Sequence, residues 1–325
     1  MSTALEQLRS LVREMPGRKM PGERELAERF GVGRKQIRSA LDVLEMEGIV
    51  LRRQGSGTFA ADVRQARSMT VALLVDAALR LGDDPFFSLL VDRLQRALQG
   101  AGIRCLVERM SENEAAVPKV HAAITVGLAG SAVVASMEKN SPPVVGLFLP
   151  ETVLRPDRRV SLLVVDDRLA GATAAQCLID HGCKSLVFAG MNDLPMSRRR
   201  LMGAHRVTDA ASVSLRAIRS GSNFQAGLLV ARSLTPDPAA PLGIVAANDW
   251  MAVGIQTGMM SKAASGYRIV GFDGLDIAAD PALGIESVMF PLDGIVDDAV
   301  SEILRLTPAP NVPGRVIQYA PIWRA

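Results

Sequence analysis

The chain of 325 residues is 48% hydrophobic and 22% charged, more than one small core holds, so two domains or three lobes around a large buried interior are expected. No run of 18 apolar residues occurs, and no membrane-spanning helix is expected. The net charge of +3 is uneven: residues 1–68 carry 13 Lys/Arg against 9 Asp/Glu, and the remainder 24 against 25, so the basic excess lies at the amino-terminal end.

In chain order, Leu5, Leu8 and Val12 fall on one face of an amphipathic first helix. This start carries acids and lacks the form of a secretory leader, so a cytoplasmic location is expected, and with it reduced thiols at Cys105, Cys177 and Cys183. Pro21-Gly22-Glu23 opens a shorter helix with Glu23 and Glu25 in its first turn and a stripe of Leu26, Ala27 and Phe30. Gly31-Val32-Gly33 turns the chain into a second helix, whose Ile37, Leu41 and Leu44 recur at i, i+4, i+7 and face a core. Its first turns expose Arg34, Lys35, Gln36 and Arg38, whereas Asp42, Glu45 and Glu47 come later. That charge order suits a helix whose amino-terminal end enters the major groove of double-stranded DNA, where an arginine fork can donate twice to guanine. Ile49-Val50-Leu51 and Thr58-Phe59-Ala60 then flank a basic, glycine-rich tip, which reads as a β-hairpin wing.

Residues 4–60 resemble the GntR-type winged helix-turn-helix, through MPGERELA, VGRKQIRSAL and GSGTF. The resemblance implies that Arg24, Arg34 and Arg38 contact operator DNA and that Gln54 and Gly55 sit at the wing tip. Gly22 and Gly33 stand where the family has cap-forming serines, a change that costs a few tenths of a kcal/mol at each cap.

Residues 61–69 are polar and without apolar period, and read as a linker, dividing the chain into a DNA-binding domain at 1–68 and a second domain at 69–325. Beyond it, strands are predicted at 70–75, 103–110, 121–126, 143–149, 160–165, 184–189, 242–247 and 267–272. Helices are predicted between them, among them 167–181, 249–259, 291–305 and one carrying the stripe Phe87, Leu90, Val91, Leu94 and Leu98. This alternation predicts an α/β fold with one or two parallel sheets, in which ligands bind outside the carboxyl ends of the strands. The glycine clusters make neither a dinucleotide fingerprint nor a phosphate loop, and none of the three histidines stands beside a nucleophile, so no catalytic residue, cofactor or enzyme activity is expected. Cys177, His181 and Cys183 do not complete a metal-binding pattern, so no metal is expected either.

Three later segments, 165–171, 244–254 and 269–273, resemble the LacI/GalR effector-binding domain, and the resemblance covers most of 70–325. It implies two α/β lobes like those of periplasmic binding proteins, joined by three crossing strands, with a sugar-like ligand in the cleft. Carried over residue by residue, the cleft should include Phe86, Arg200, Asn248 and Asp273, with Phe224 as a stacking aromatic. Together the two resemblances imply a ligand-responsive, homodimeric DNA-binding regulator, a repressor in the manner of arabinose repressors. A solute-binding protein or an enzyme on a Rossmann-like sheet is the alternative. Aromatics make up only 4% of the chain, lean for a sugar cradle, and Arg198-Arg199-Arg200 leaves an acidic ligand open.

Overall fold

The computed structural model describes residues 4–15, 17–46, 49–53, 57–60, 69–111, 113, 116–138, 140–150, 153, 159–308 and 311–324. The amino-terminal unit is built of α1 (Ala4–Glu14), α2 (Glu23–Phe30) and α3 (Arg34–Met46), followed by an antiparallel hairpin of β1 (Val50–Arg53) and β2 (Gly57–Ala60). Its core is the predicted set: Leu8 and Val12 of α1, Leu26 and Ala27 of α2, and Ile37, Leu41 and Leu44 of α3, closed by Val50 and Ala60 of the hairpin. Leu5 and Phe30 pack against it part-exposed. Gly31 takes a left-handed conformation (φ 65°), which lets the Val32 N–H bond back to the Ala27 carbonyl and turns α2 into α3. The wing-tip residues Gln54 and Gly55, and 61–68 of the expected linker, lie outside the described residues.

Two parallel-sheet lobes follow. The first sheet runs β13-β7-β6-β5-β3-β4, all parallel, from β3 (Thr70–Asp76), β4 (Arg104–Met110), β5 (Ala122–Val126), β6 (Val144–Leu147), β7 (Val160–Val165) and β13 (Val316–Tyr319). The second runs β14-β12-β11-β10-β8-β9, from β8 (Ser185–Met191), β9 (Ser214–Arg219), β10 (Leu242–Ala246), β11 (Tyr267–Phe272), β12 (Ile285–Met289) and β14 (Ile322–Arg324), with only the β12–β14 pair antiparallel. The chain crosses between lobes three times, near 165–167, 289–292 and 319–322. In each sheet the strand order reverses beside the first strand, at β3 and at β8, and a ligand crevice is expected at such reversals.

Helices cover both faces: α4 (Pro85–Gly100), α5 (Gly130–Ser136), α6 (Asp167–Asp180), α7 (Pro195–Ala210), α8 (Phe224–Ser233), α9 (Asp249–Ser261) and α10 (Leu292–Leu306). α4 buries the expected stripe of Phe87, Leu90, Val91, Leu94 and Leu98, and α10 buries Leu292, Ile295, Val296, Ala299, Val300 and Ile303. α10 also buries Glu302, which accepts hydrogen bonds from Ser161 Oγ at 2.6 Å and Arg315 Nη2 at 2.8 Å and so ties the returning strand β13 to the first lobe. The strands expected from sequence omit β9, β12, β13 and β14; β12, although internal to its sheet, is a short run interrupted by Glu286 and Ser287. β9, β13 and β14 are edge strands with much of their surface in solvent, so none carries the apolar run that marks a central parallel strand.

Candidate functional site

The amino-terminal end of α3 is exposed through Arg34, Lys35, Gln36 and Arg38. Gln36 Oε1 accepts the Gly33 N–H at 3.0 Å, half of a capping box, and so replaces some of what a serine at Gly33 would supply. Arg38 is already engaged: its fork grips Glu23, with Nη2 2.8 Å from Oε2, and holds that carboxyl below the ordinary range. Arg24 pairs with Glu28 one turn along α2, both well exposed. Among the described residues Arg34 and Lys35 form no ion pair, which leaves Arg34 the arginine with its whole fork available. The acids further along α3 have a local partner, since Arg52 of β1 bonds Asp42 and lies 3.1 Å from Glu45, pinning the wing to the helix.

Between the lobes lies a cavity of about 270 Å³. Ala78 and Leu128 at the reversal in the first sheet, and Asn192 and Ala247 at the reversal in the second, all line it. Its walls are apolar and aromatic, with Phe86, Phe87, Phe148, Phe188 and Phe290 supplying five of the chain's nine phenylalanines. The low aromatic content is thus concentrated at one place. Phe86, Phe87 and Phe148 meet edge to face, with ring centroids 5.3–6.0 Å apart. Asp84 fixes this corner by accepting the Phe86 and Phe87 N–H groups as the cap of α4.

The polar groups come mainly from the second lobe. Arg200 of α7 is buried, donating from Nε to Asp167 Oδ1 at 3.0 Å and from Nη1 to the Ala247 carbonyl at 2.9 Å, with its guanidinium 4.3 Å above the Phe272 ring. Its backbone is fixed by the α6–α7 contact: a Cβ on Gly171 would stand 1.9 Å from the Arg200 carbonyl oxygen, so only glycine lets the helices approach this closely. Asn248 caps α9 by accepting the Met251 N–H at 2.8 Å, which commits its oxygen and leaves its amide N–H groups as donors. Asp273 follows β11 with φ 108°, and Phe148 follows β6 with φ 61°; both are non-glycine residues in the left-handed half, at the carboxyl ends of strands in opposite lobes. Such strain persists only where surrounding structure enforces it, and it gathers at ligand sites.

Four of the expected residues, Phe86, Arg200, Asn248 and Asp273, therefore meet at one cavity. Phe224 does not line it. As the first residue of α8 its ring lies against Trp250, centroids 5.4 Å apart, and its carbonyl abuts Gly254 of α9, so it serves the α8–α9 contact. The neighbouring Ser222 and Asn223 do line the cavity. Asp84, Asp167 and the other phenylalanines were missed. Asp84 had a signal, an aspartate immediately before Pro85 at a helix start.

Electrostatics set the ligand chemistry. Burial raises the carboxyls of Asp84, Asp167, Asp249 and Asp273 above the ordinary range, although Arg200 opposes this at each. The rise is greatest in consequence at Asp273, where Asp249, Asp84 and Asp167 add repulsion and no protein hydrogen bond to the carboxyl is present among the described residues. Between about pH 4, where an unfolded aspartate ionises, and the raised native value, the folded state holds the extra proton, so stability falls as pH rises. Asp273→Asn is accordingly expected to flatten the decline of stability with pH and to raise the ligand-free protein's stability at neutral pH. Urea midpoints across this range check it; a variant whose pH dependence matches the unaltered protein would show that Asp273 does not take up the extra proton.

Comparison with known proteins follows the division between the two parts. Residues 2–60 match the profile described as bacterial regulatory proteins, gntR family. The HTH-type transcriptional regulator Rv0792c of Mycobacterium tuberculosis is 41% identical over 70 residues, 21% of this chain and 26% of the relative. The arabinose metabolism transcriptional repressor of Halalkalibacterium halodurans is 24% identical over 225 residues, 62% of this chain and 59% of the relative. The chain thus spans between about a quarter and three fifths of these relatives' lengths. A LacI family transcriptional regulator from Enterococcus faecium, solved with bound ribose, superposes with a TM-score of 0.65 at 18% identity, covering 79% of this chain and 97% of that one. The two-lobed fold expected from sequence is the fold of that structure.

Proposed function

We propose that this chain is a transcriptional regulator, acting as a repressor, whose affinity for double-stranded operator DNA changes when a small sugar-like ligand occupies the cavity between its lobes. The observation that carries the reading is the convergence of Arg200, Asn248 and Asp273, from three separate elements, on an aromatic-walled cavity in a chain that begins with a winged helix. Arg200 and Asn248 retain donors, and Asp273 offers a carboxyl that can accept or, when protonated, donate. Such a set complements hydroxyl groups, and phenylalanine faces complement the C–H face of a sugar ring.

An uncharged ligand fits better than an acidic one. Three of the four carboxyls around Arg200, those of Asp84, Asp167 and Asp273, line the cavity, and Arg200 is already paired with Asp167. The arginine run is divided: Arg198 pairs with Asp193 in solvent and is absent from the lining, whereas Arg199 lines the cavity with Arg200, so two arginines of the run face the three carboxyls there. The names of the arabinose repressor and the ribose-bound regulator accord with a sugar as ligand.

In this reading residues 1–68 form the DNA-binding domain and linker, with Arg24, Arg34, Lys35, Gln36, Arg38 and the wing tip at Gln54 and Gly55 facing DNA. Residues 69–325 form the effector-binding and dimerisation domain. One winged helix reaches few bases, so a cytoplasmic homodimer on a palindromic site supplies the rest. Among the described residues no helix is long and apolar enough to cross a membrane.

A thermal-shift screen against neutral sugars, sugar acids, sugar phosphates and nucleosides tests the ligand class. At 100 times its Kd, a ligand adds about 2.7 kcal/mol of stability. Neutral sugars are expected to stabilise the protein and sugar phosphates to leave it unmoved. Stabilisation by the phosphates alone would assign the cavity to an anion.

A further inference from the structure

Away from the cavity, the last turn of α6 and the start of β12 bring together Cys177, His181 and Glu286. Their Sγ, imidazole nitrogen and carboxylate oxygen all lie within 4.8 Å of one another. We propose that these three side chains bind a divalent cation of the zinc class.

The sequence spacing pointed away from a metal because it offered only Cys177, His181 and Cys183. The fold adds Glu286 from a strand more than a hundred residues later and leaves Cys183 buried. Cys177 lies in the last turn of α6, and His181, one turn on, is the residue that caps its carboxyl end. Glu286 is held in a strand paired on both sides, by β11 and by β14, and α6 packs on that sheet. Two ligands on one rigid element and a third on its rigid neighbour make a site that exists before the ion arrives.

The histidine is set for ligation. Its Nδ1 lies 2.9 Å from the Cys177 carbonyl oxygen, which can only accept, and 3.3 Å from Cys177 Sγ; the tautomer that donates from Nδ1 to that carbonyl turns a bare Nε2, 3.9 Å from Glu286 Oε1, to the site. Metal-binding histidines commonly donate their other ring N–H to a backbone carbonyl in this manner. The Cys177 thiol now donates to Glu286 Oε2 at 2.9 Å; on metal binding it releases that proton to solvent, and both groups turn to the ion. Zinc bonds of about 2.0–2.3 Å separate tetrahedral ligands by about 3.3–3.8 Å, so a modest rotation of the His181 side chain, 41% exposed, closes the set. That same exposure leaves the fourth position to water. Thiolate and carboxylate together balance the ion's two charges, and Arg268, 3.4 Å from Glu286 Oε1, keeps a partner. A thiolate, an imidazole and one carboxylate favour zinc or cobalt over magnesium or calcium.

Cobalt(II) titration of the full-length protein, held reduced by a phosphine, tests the site. One equivalent is expected to produce a thiolate-to-cobalt charge-transfer band that added zinc bleaches. Cys177→Ser should remove the band and Cys183→Ser should retain it. Glu286→Gln and His181→Gln should weaken cobalt binding by at least about tenfold, the lower end of what losing even an outer partner costs. The absence of a thiolate band in the unaltered protein overturns the proposal, as does a band that survives Cys177→Ser or disappears with Cys183→Ser. The first and last of these do not depend on the Cys177 variant folding.

Discussion

Arg200→Ala is expected to abolish the ligand response and to lower stability by about 3–5 kcal/mol, the usual cost of leaving one partner of a buried ion pair alone. Both side chains of the Arg200–Asp167 pair are about nine-tenths buried, so solvent screening gives little relief. Three consequences add together. Asp167 loses its counter-charge, the Ala247 carbonyl loses a donor, and Asp273 loses a cation that opposes its neutralisation. The loss is bounded because burial already outweighs Arg200 at Asp167, whose carboxyl can take up a proton once the arginine is gone. Arg200→Lys should recover part of the stability and little of the ligand response, since an ammonium restores charge without the planar fork. Urea denaturation and ligand titration measure the two effects separately. A loss below about 1 kcal/mol, with ligand binding intact, would remove Arg200 from the centre of the site.

Arg34→Ala should weaken binding to a specific DNA site by about 1–3 kcal/mol and relax its sequence preference, while leaving ligand binding in the cavity unchanged. Arg34 is singled out over Arg38 because Glu23 already occupies the fork of Arg38, and breaking that pair offsets what Arg38 gains on DNA. Arg38→Ala is therefore expected to cost less than Arg34→Ala, and Glu23→Gln, which frees Arg38, should tighten non-specific binding. Equal affinity of the Arg34 variant and the unaltered protein, on both selected and random duplexes, would take this end of α3 out of the groove.

The sequence made the winged helix legible because each helix stripe closes locally. Ile37, Leu41 and Leu44 need only the neighbouring helices to bury them, and they are buried as their spacing requires. Most central strands were equally legible, because a strand buried on both faces is a continuous apolar run, as in β3 and β5; β12, with Glu286 and Ser287 in its short span, was the exception. Legibility ended where position depends on distant chain. Phe148, Phe188 and Phe290 follow or lie in different strands of two sheets and become neighbours only when three crossings bring the lobes together. Glu302 sits on an apolar helix face and reads as an error until Ser161 and Arg315 are seen around it. Phe224 failed in another way: the motif fixed its place in the chain, but the close α8–α9 contact through Gly254 decided where its ring goes.

The central claim couples two parts of one chain, and fluorescence anisotropy of the full-length protein tests it most directly. The protein first selects a duplex from a random library, and that duplex is titrated with and without the neutral sugar that stabilises it most in the thermal screen. Coupling between sites usually amounts to about 1–3 kcal/mol, so saturating sugar is expected to change duplex affinity by roughly 5–150-fold, and Asp273→Asn should remove the change without altering affinity in its absence. An unaltered duplex affinity at saturating sugar would contradict the account.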